Sequence, residues 1–242
     1  MQDILELAPP PGGTRIPYGN DPNQFGELRL PAVPGPHPVV IFIHGGFWRE
    51  KYTLDHAAHA CQALADAGYA VWSLEYRRIG QPGGGHTGTT ADIEAGAGFL
   101  AAMPDMDLFR VVAVGHSAGG YLALWLASRG RIPLAGVVAL APVADLEYAR
   151  KLRLGDGVVE QFLGGTTPPP LQPILVPQIL VHGTLDDVVP FEISRRFADA
   201  STNSTLTPLP GACHFEVIDP RSKEWPCVVA AIATLSLKSA TS

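Results

Sequence analysis

The chain has 242 residues, 46% of them hydrophobic and 17% charged, with a formal net charge of −6 at pH 7. A chain of this size and composition is globular and buries roughly three quarters of its unfolded surface, so a single domain over residues 1–242 is expected. The acidic residues are scattered and no basic cluster occurs, which argues against nucleic acid or an anionic membrane as a partner.

No stretch approaches the ~18 consecutive apolar residues of a membrane span. The start, "MQDILELAPPPGG", has no Lys or Arg before Arg15 and only a short apolar run, unlike a secretory leader. Cys61, Cys213 and Cys227 form no Cys-x-x-Cys and are read as reduced thiols, so a cytoplasmic location is expected.

In chain order, "ELRLP" (27–31) is a candidate antiparallel strand after a Pro/Gly-rich approach (8–36). "PVVIFIHGG" (38–46) is apolar on successive residues, the pattern of a strand covered on both faces. It runs into "HGGFW", where two glycines let the backbone turn its N–H groups toward one point, half of an oxyanion hole. The Gly46 and Phe47 amides are assigned to it, with Gly45 the alternative to Phe47. Trp48 either lines a substrate pocket or packs beneath the loop.

A helical pattern follows at 53–68 and a strand at 69–76. Tyr76, Arg77 and Arg78 end that strand on the expected site edge, where they could meet a substrate or anchor the loop through Glu75. The loop "RRIGQPGGGHTG" (77–88) places His86 as a further substrate-binding candidate, and 89–103 has helical spacing. That Gly-rich loop lacks the Lys-Ser/Thr of a phosphate loop, so nucleotide binding is not expected.

The strand "FRVVAVGH" (109–116) ends in Gly115-His116-Ser117-Ala118-Gly119, followed by an Ala/Leu-rich helix at 119–130. This is G-x-S-x-G in its strand–turn–helix setting, with Ser117 the candidate nucleophile. Bulky side chains two positions away on either side would collide in so tight a turn. The Ala118 N–H, at a helix start, is the remaining oxyanion donor.

After the strand 135–142, residues 145–176 leave room for a minimal lid. The strand 177–183 leads into Asp186 and Asp187. Asp186 is taken as the acid that orients a histidine, and Asp187 as its solvated or helix-capping neighbour. A helix at 191–200, a weak strand at 204–209 and a last helix at 222–237 complete the chain. His214 lies between the last two and follows Asp186, making it the candidate base. The order Ser…Asp…His is that of α/β hydrolases. Strand–helix alternation throughout gives an α/β class with a mostly parallel central sheet and helices on both faces.

Together "HGGFW", "GHSAGG", "HGTLDDVVP" and "HFEVIDP" resemble the α/β-hydrolase superfamily, and within it the kynurenine formamidase (arylformamidase)-like serine esterase branch. The resemblance runs from about residue 25 to 237. It implies Ser117 as nucleophile, Asp186 as acid and His214 as base, with oxyanion donors from the loop after His44 and from Ala118. Cys213 and His86 depart from that branch's pattern. The expected activity is hydrolysis of small or short-chain carboxylic esters, or of aryl formamides, through an acyl-enzyme. No cofactor is expected, and no metal, because the eight histidines show no metal-ligand spacing. The expected partner is a small acyl substrate, with a homodimer left open. The alternatives are a non-catalytic hydrolase-like binding protein and a small exopeptidase of prolyl-oligopeptidase type, though the latter usually needs an accessory domain.

Overall fold

The computed structural model describes residues 4–168 and 170–237. Its strands are β1 (Thr14–Pro17), β2 (Phe25–Arg29), β3 (His37–Ile43), β4 (Ala70–Leu74), β5 (Met106–His116), β6 (Gly136–Leu140), β7 (Gln178–Gly183) and β8 (Ser204–Leu209). They form one sheet in the order β1-β2-β4-β3-β5-β6-β7-β8. β1 and β2, and β2 and β4, pair antiparallel; every pair from β4 to β8 is parallel. The mostly parallel sheet is the expected one. β1 lies within the stretch read as an irregular approach; its four residues, "TRIP", are too short a run, mostly exposed, to show an alternation that reveals it.

The helices are α1 (Ala58–Asp66), α2 (His86–Gly98), α3 (Ala118–Arg129), α4 (Leu146–Lys151), α5 (Leu154–Leu163), α6 (Phe191–Ala200) and α7 (Trp225–Leu237). The unbroken apolar runs of the central strands follow from period-two alternation between two buried faces. Val39, Ile41 and Ile43 of β3 join the core formed with α2, α3, α4, α5 and α6. Val40 and Phe42 join the core formed with α1 and α7. β5 divides likewise, with Val111 and Ala113 on the first face and Val112 and Val114 on the second. Among the described residues, no helix is long and apolar enough to cross a membrane.

α2 begins at His86, three residues before the expected helix, and its last turn, Phe99–Ala102, is a 3-10 turn. The expected loop therefore ends at Gly85, whose φ of 98° is open to glycine and strained for other residues. That position makes His86 the first residue of a helix.

The chain order reverses at β3. β4 lies on one side of β3, and the chain then crosses to β5 on the other. In open parallel sheets, the crevice beyond the strands' carboxyl ends at such a switch point is where ligands bind. The loop after β3 and the turn after β5 meet there.

Candidate active site

Ser117 sits between β5 and α3 with φ 56° and ψ −119°, a conformation that costs a non-glycine residue about 1–3 kcal/mol and persists only where its surroundings impose it. Three backbone hydrogen bonds impose it here. Ser117 N–H donates to the Leu140 carbonyl at 2.8 Å, and the Ser117 carbonyl accepts from Gly120 N–H at 3.0 Å and Val143 N–H at 3.1 Å. The glycines of the motif are sterically required: a Cβ on Gly115 would strike the Gly119 carbonyl, and one on Gly119 the Ile43 and His44 carbonyls. Ser117 is 2% exposed. Among the described residues its hydroxyl has no hydrogen-bond partner, and serine–base contacts in ligand-free enzymes are often loose until substrate binds.

The structure joins Asp186 to His214: Nδ1 of the buried His214 donates to Asp186 Oδ2 at 2.6 Å. The other oxygen, Oδ1, accepts from the Val188 and Val189 amides at 2.9 and 2.7 Å. His182 Nε2 lies 3.1 Å from Oδ2, while its Nδ1 lies 2.7 Å from Ser194 Oγ. Burial alone would push the Asp186 carboxyl up. Hydrogen bonds from His182, His214 and Val189 outweigh it and hold the carboxyl well below its ordinary range. Asp187 is exposed, and no side chain caps α6, which starts after Pro190.

The loop after β3 runs through positive φ at Gly46, Phe47 and Trp48 (101°, 54° and 56°). Among the described residues, the Gly46, Phe47 and Ala118 amides donate to no protein acceptor. Buried amides are nearly always paired, so these free donors beside Ser117 are suited to a ligand oxygen. A Cβ on Gly45 would come within 3.0 Å of Ser117 Cβ, which sets the loop directly against the turn.

A buried carboxylate that the sequence suggested only as a loop anchor organises this loop. Glu75 Oε1 accepts from Tyr76 N–H and faces His44 Nε2, both at 3.0 Å, and it also binds Arg78 Nη1; Oε2 accepts from Leu54 N–H at 3.1 Å. Burial acts to raise the Glu75 carboxyl, but His44, Arg78 and the Tyr76 amide keep it below its ordinary value. Arg77 turns to Asp92 instead, at 2.6 Å.

Of the alternatives left open for the substrate-binding candidates, Tyr76 and Trp48 take the packing role. Tyr76 is fully buried; its ring stacks 4.5 Å from His44 and its hydroxyl donates to the His44 carbonyl at 2.8 Å. It supports the loop from beneath. Trp48 is likewise core, stacked 4.1 Å from Phe162 of α5 and edge-on to Tyr121. His86 is half-buried, with Nε2 2.9 Å from the Tyr121 hydroxyl, and burial lowers its pKa.

Between β6 and β7, α4 and α5 cover this side of the site. Arg49 donates to the Gly155 carbonyl at 2.7 Å, and Gly155, Asp156 and Gly157 are left-handed. His182 and the pair His56–His116 escaped the sequence reading. His116 and His182 lie in apolar strands, β5 and β7, while His56 lies in the turn Leu54–Ala57 and carries no comparable signal. Among the described residues, no group of three or more His, Cys, Asp or Glu could hold a metal ion.

A serine hydrolase family model matches residues 94–234, more than half of the chain, spanning the Ser117 turn, Asp186 and His214. The chain belongs to the serine hydrolase family. A second family model, described as BD-FAE, matches residues 28–134 and so takes in the loop after β3. A thermophilic esterase from Thermogutta terrifontis superposes with a TM-score of 0.77 at 23% identity, covering 97% of this chain and 96% of that one. This establishes the α/β-hydrolase fold. Esterase B from Lactobacillus rhamnosis is 26% identical with a TM-score of 0.71, over 94% of this chain and 86% of that one. A probable isoprenylcysteine alpha-carbonyl methylesterase of Oryza sativa is 27% identical over 83% of this chain and 57% of its own length. The chain spans between 46% and 61% of the lengths of the curated relatives it matches.

Proposed function

We propose that this serine hydrolase cleaves small or short-chain carboxylic esters through an acyl-enzyme, with Ser117, His214 and Asp186 as its triad. The observation that carries the reading is the strained Ser117 turn at the sheet's switch point, beside a histidine held by a buried carboxylate. Ser117 Oγ attacks the ester carbonyl carbon as His214 Nε2 takes its proton. Asp186 holds the ring by Nδ1 and stabilises the imidazolium. The Gly46, Phe47 and Ala118 amides receive the carbonyl oxygen as it becomes an oxyanion. His214 then returns the proton to the leaving alcohol, and water, activated by the same base, releases the acid.

Esterase relatives and the cover of α4 and α5 over the site favour small acyl groups. Aryl formamides are the finer substrate class that the motif resemblance suggests. Trp48 is occupied in the core, so half-buried Phe47 beside it is the aromatic left to meet an aryl ring.

A fluorophosphonate should label Ser117, and Ser117→Ala should lower kcat on p-nitrophenyl acetate by about 10⁴-fold or more. No label, together with unchanged turnover in the variant, would sink the mechanism. Turnover of N-formylkynurenine, measured beside acetate, butyrate and octanoate esters, separates the substrate classes. Formamide turnover above that of every ester would overturn the preference.

A further inference from the structure

We infer that His56 and His116 form a neutral, hydrogen-bonded imidazole pair that positions the His214 loop against the Ser117 turn, making both of them positioning residues. The inference rests on the reading of His214 as the base.

His116 fills the variable position of G-x-S-x-G, where the motif itself asks for nothing in particular. It is nonetheless fully buried and wedged among three segments of the site. Its Nε2 donates to the backbone carbonyl of His214 at 3.1 Å, and its ring centroid lies 4.6 Å from that of His214. Its Nδ1 lies 2.9 Å from His56 Nε2, and the two rings stack at 5.1 Å. A Cβ on Gly45 would come within 3.2 Å of the same Nδ1. One ring therefore touches the base loop, the oxyanion loop and, through His56, the 3-10 turn Leu54–Ala57.

The contacts set the tautomers. A carbonyl only accepts, so His116 Nε2 carries the proton. A neutral His116 then has a bare Nδ1, which accepts from His56 Nε2–H. His56 Nδ1 is left bare, and among the described residues it is buried with no hydrogen-bond partner. A proton placed there would be an unpaired buried donor, which the fold disfavours. Among the described residues, the charges acting on His56 are those of His44 and His214, both of which disfavour its protonation, and its ring is edge-on to Tyr52 and Phe215. Asp186, the carboxylate acting on His116, is already engaged by His182 and His214. Burial agrees, lowering His56 to about 3 and His116 well below its ordinary value.

The arrangement has two consequences for the base. His214 is held at both ends, by Asp186 at Nδ1 and by His116 at its carbonyl, which restricts where Nε2 can point. The imidazolium that forms on His214 also meets a neutral ring, and not a second cation, 4.6 Å away.

The test compares His56→Leu with His56→Gln, whose amide N–H can still donate to His116 Nδ1. With p-nitrophenyl acetate, His56→Leu should lose about tenfold in kcat, the scale of one misplaced hydrogen bond, with KM within about twofold. His56→Gln should recover most of that loss. A role in packing alone predicts no such rescue. Independently of activity, ¹⁵N NMR of histidine-labelled protein should show His56 and His116 as neutral Nε2–H tautomers from pH 8 to pH 5, assigned from the variants. The proposal is overturned if either ring titrates in that range or carries its proton on Nδ1. It is also overturned if His56→Leu keeps full kcat, or if both variants lose kcat equally. His214→Ala separates the two failures. If that variant is active, the base assignment falls; if it is inactive while His56→Leu is unimpaired, only the pair falls.

Discussion

Lowering the pH from 7 to 5 should destabilise this protein by several kcal/mol, and His56 and His116 are the reason. Burial pushes His56 down to about 3, with His44 and His214 acting the same way. Burial first, then His214 and His56, holds His116 well below its ordinary value. In the unfolded chain both rings return to about 6.5. Below that value the unfolded state binds protons that the folded state does not, so stability falls as pH falls from about 6.5 toward 3. Between pH 7 and 5, each ring that stays neutral accounts for about 2 kcal/mol, hence about 4 kcal/mol for the pair. Half-buried His86, also lowered, acts in the same direction. Asp186 and Glu75 have depressed carboxyl pKa values. Their stabilisation is complete above the unfolded carboxylate values and is lost only below about pH 4, outside this window. For a chain of this length 1 kcal/mol moves Tm by about 2–4 °C, so Tm should drop by about 8–16 °C. Circular-dichroism melts at pH 7, 6 and 5 and constant ionic strength measure this, and His56→Phe should remove about half of the pH dependence. A drop of less than about 3 °C, or a Phe variant with the full dependence, would refute the assignment of two neutral imidazoles.

Glu75→Gln keeps one acceptor oxygen but leaves buried Arg78 without its counter-charge, a loss of about 3–5 kcal/mol. It should lower both Tm and kcat by loosening the His44–Trp48 loop; unchanged values in a thermal melt and an ester assay would exclude that supporting role. Gly119→Ala drives a Cβ into the Ile43 and His44 carbonyls and should cost about 3 kcal/mol or more by urea unfolding. Gly130→Ala is the control: at φ 62° with nothing within 4 Å, it should cost only about 1 kcal/mol. Equal losses at the two glycines would count against the close approach of the elbow to the oxyanion loop.

The sheet was legible because its central strands carry their burial in local composition. Runs such as "VVIFI" and "VVAVG" need both faces covered, and helices lie on both. β1 was not legible, since a four-residue, mostly exposed edge strand owes its existence to pairing with β2. The early start of α2 was hidden for a similar reason. The run "PGGGH" reads as loop, and only the positive φ at Gly85 shows that the glycines end at a helix start.

The site divides along the same line. Ser117, Asp186 and His214 stand in turns at or beyond strand ends, where short motifs state their own geometry, so residues far apart in sequence could be named together. What supports them depends on packing across the chain. Glu75 reaches His44 over a separation of 31 residues, and His116 reaches the His214 carbonyl over 98. No spacing rule in the sequence encodes either contact. Tyr76 shows the converse case, an aromatic at the correct edge of the sheet whose two possible roles only the packing against His44 separates. A motif position can be chemically free and structurally committed at once, as His116 is. Such commitment shows only when the loops on either side are seen to close on the same ring.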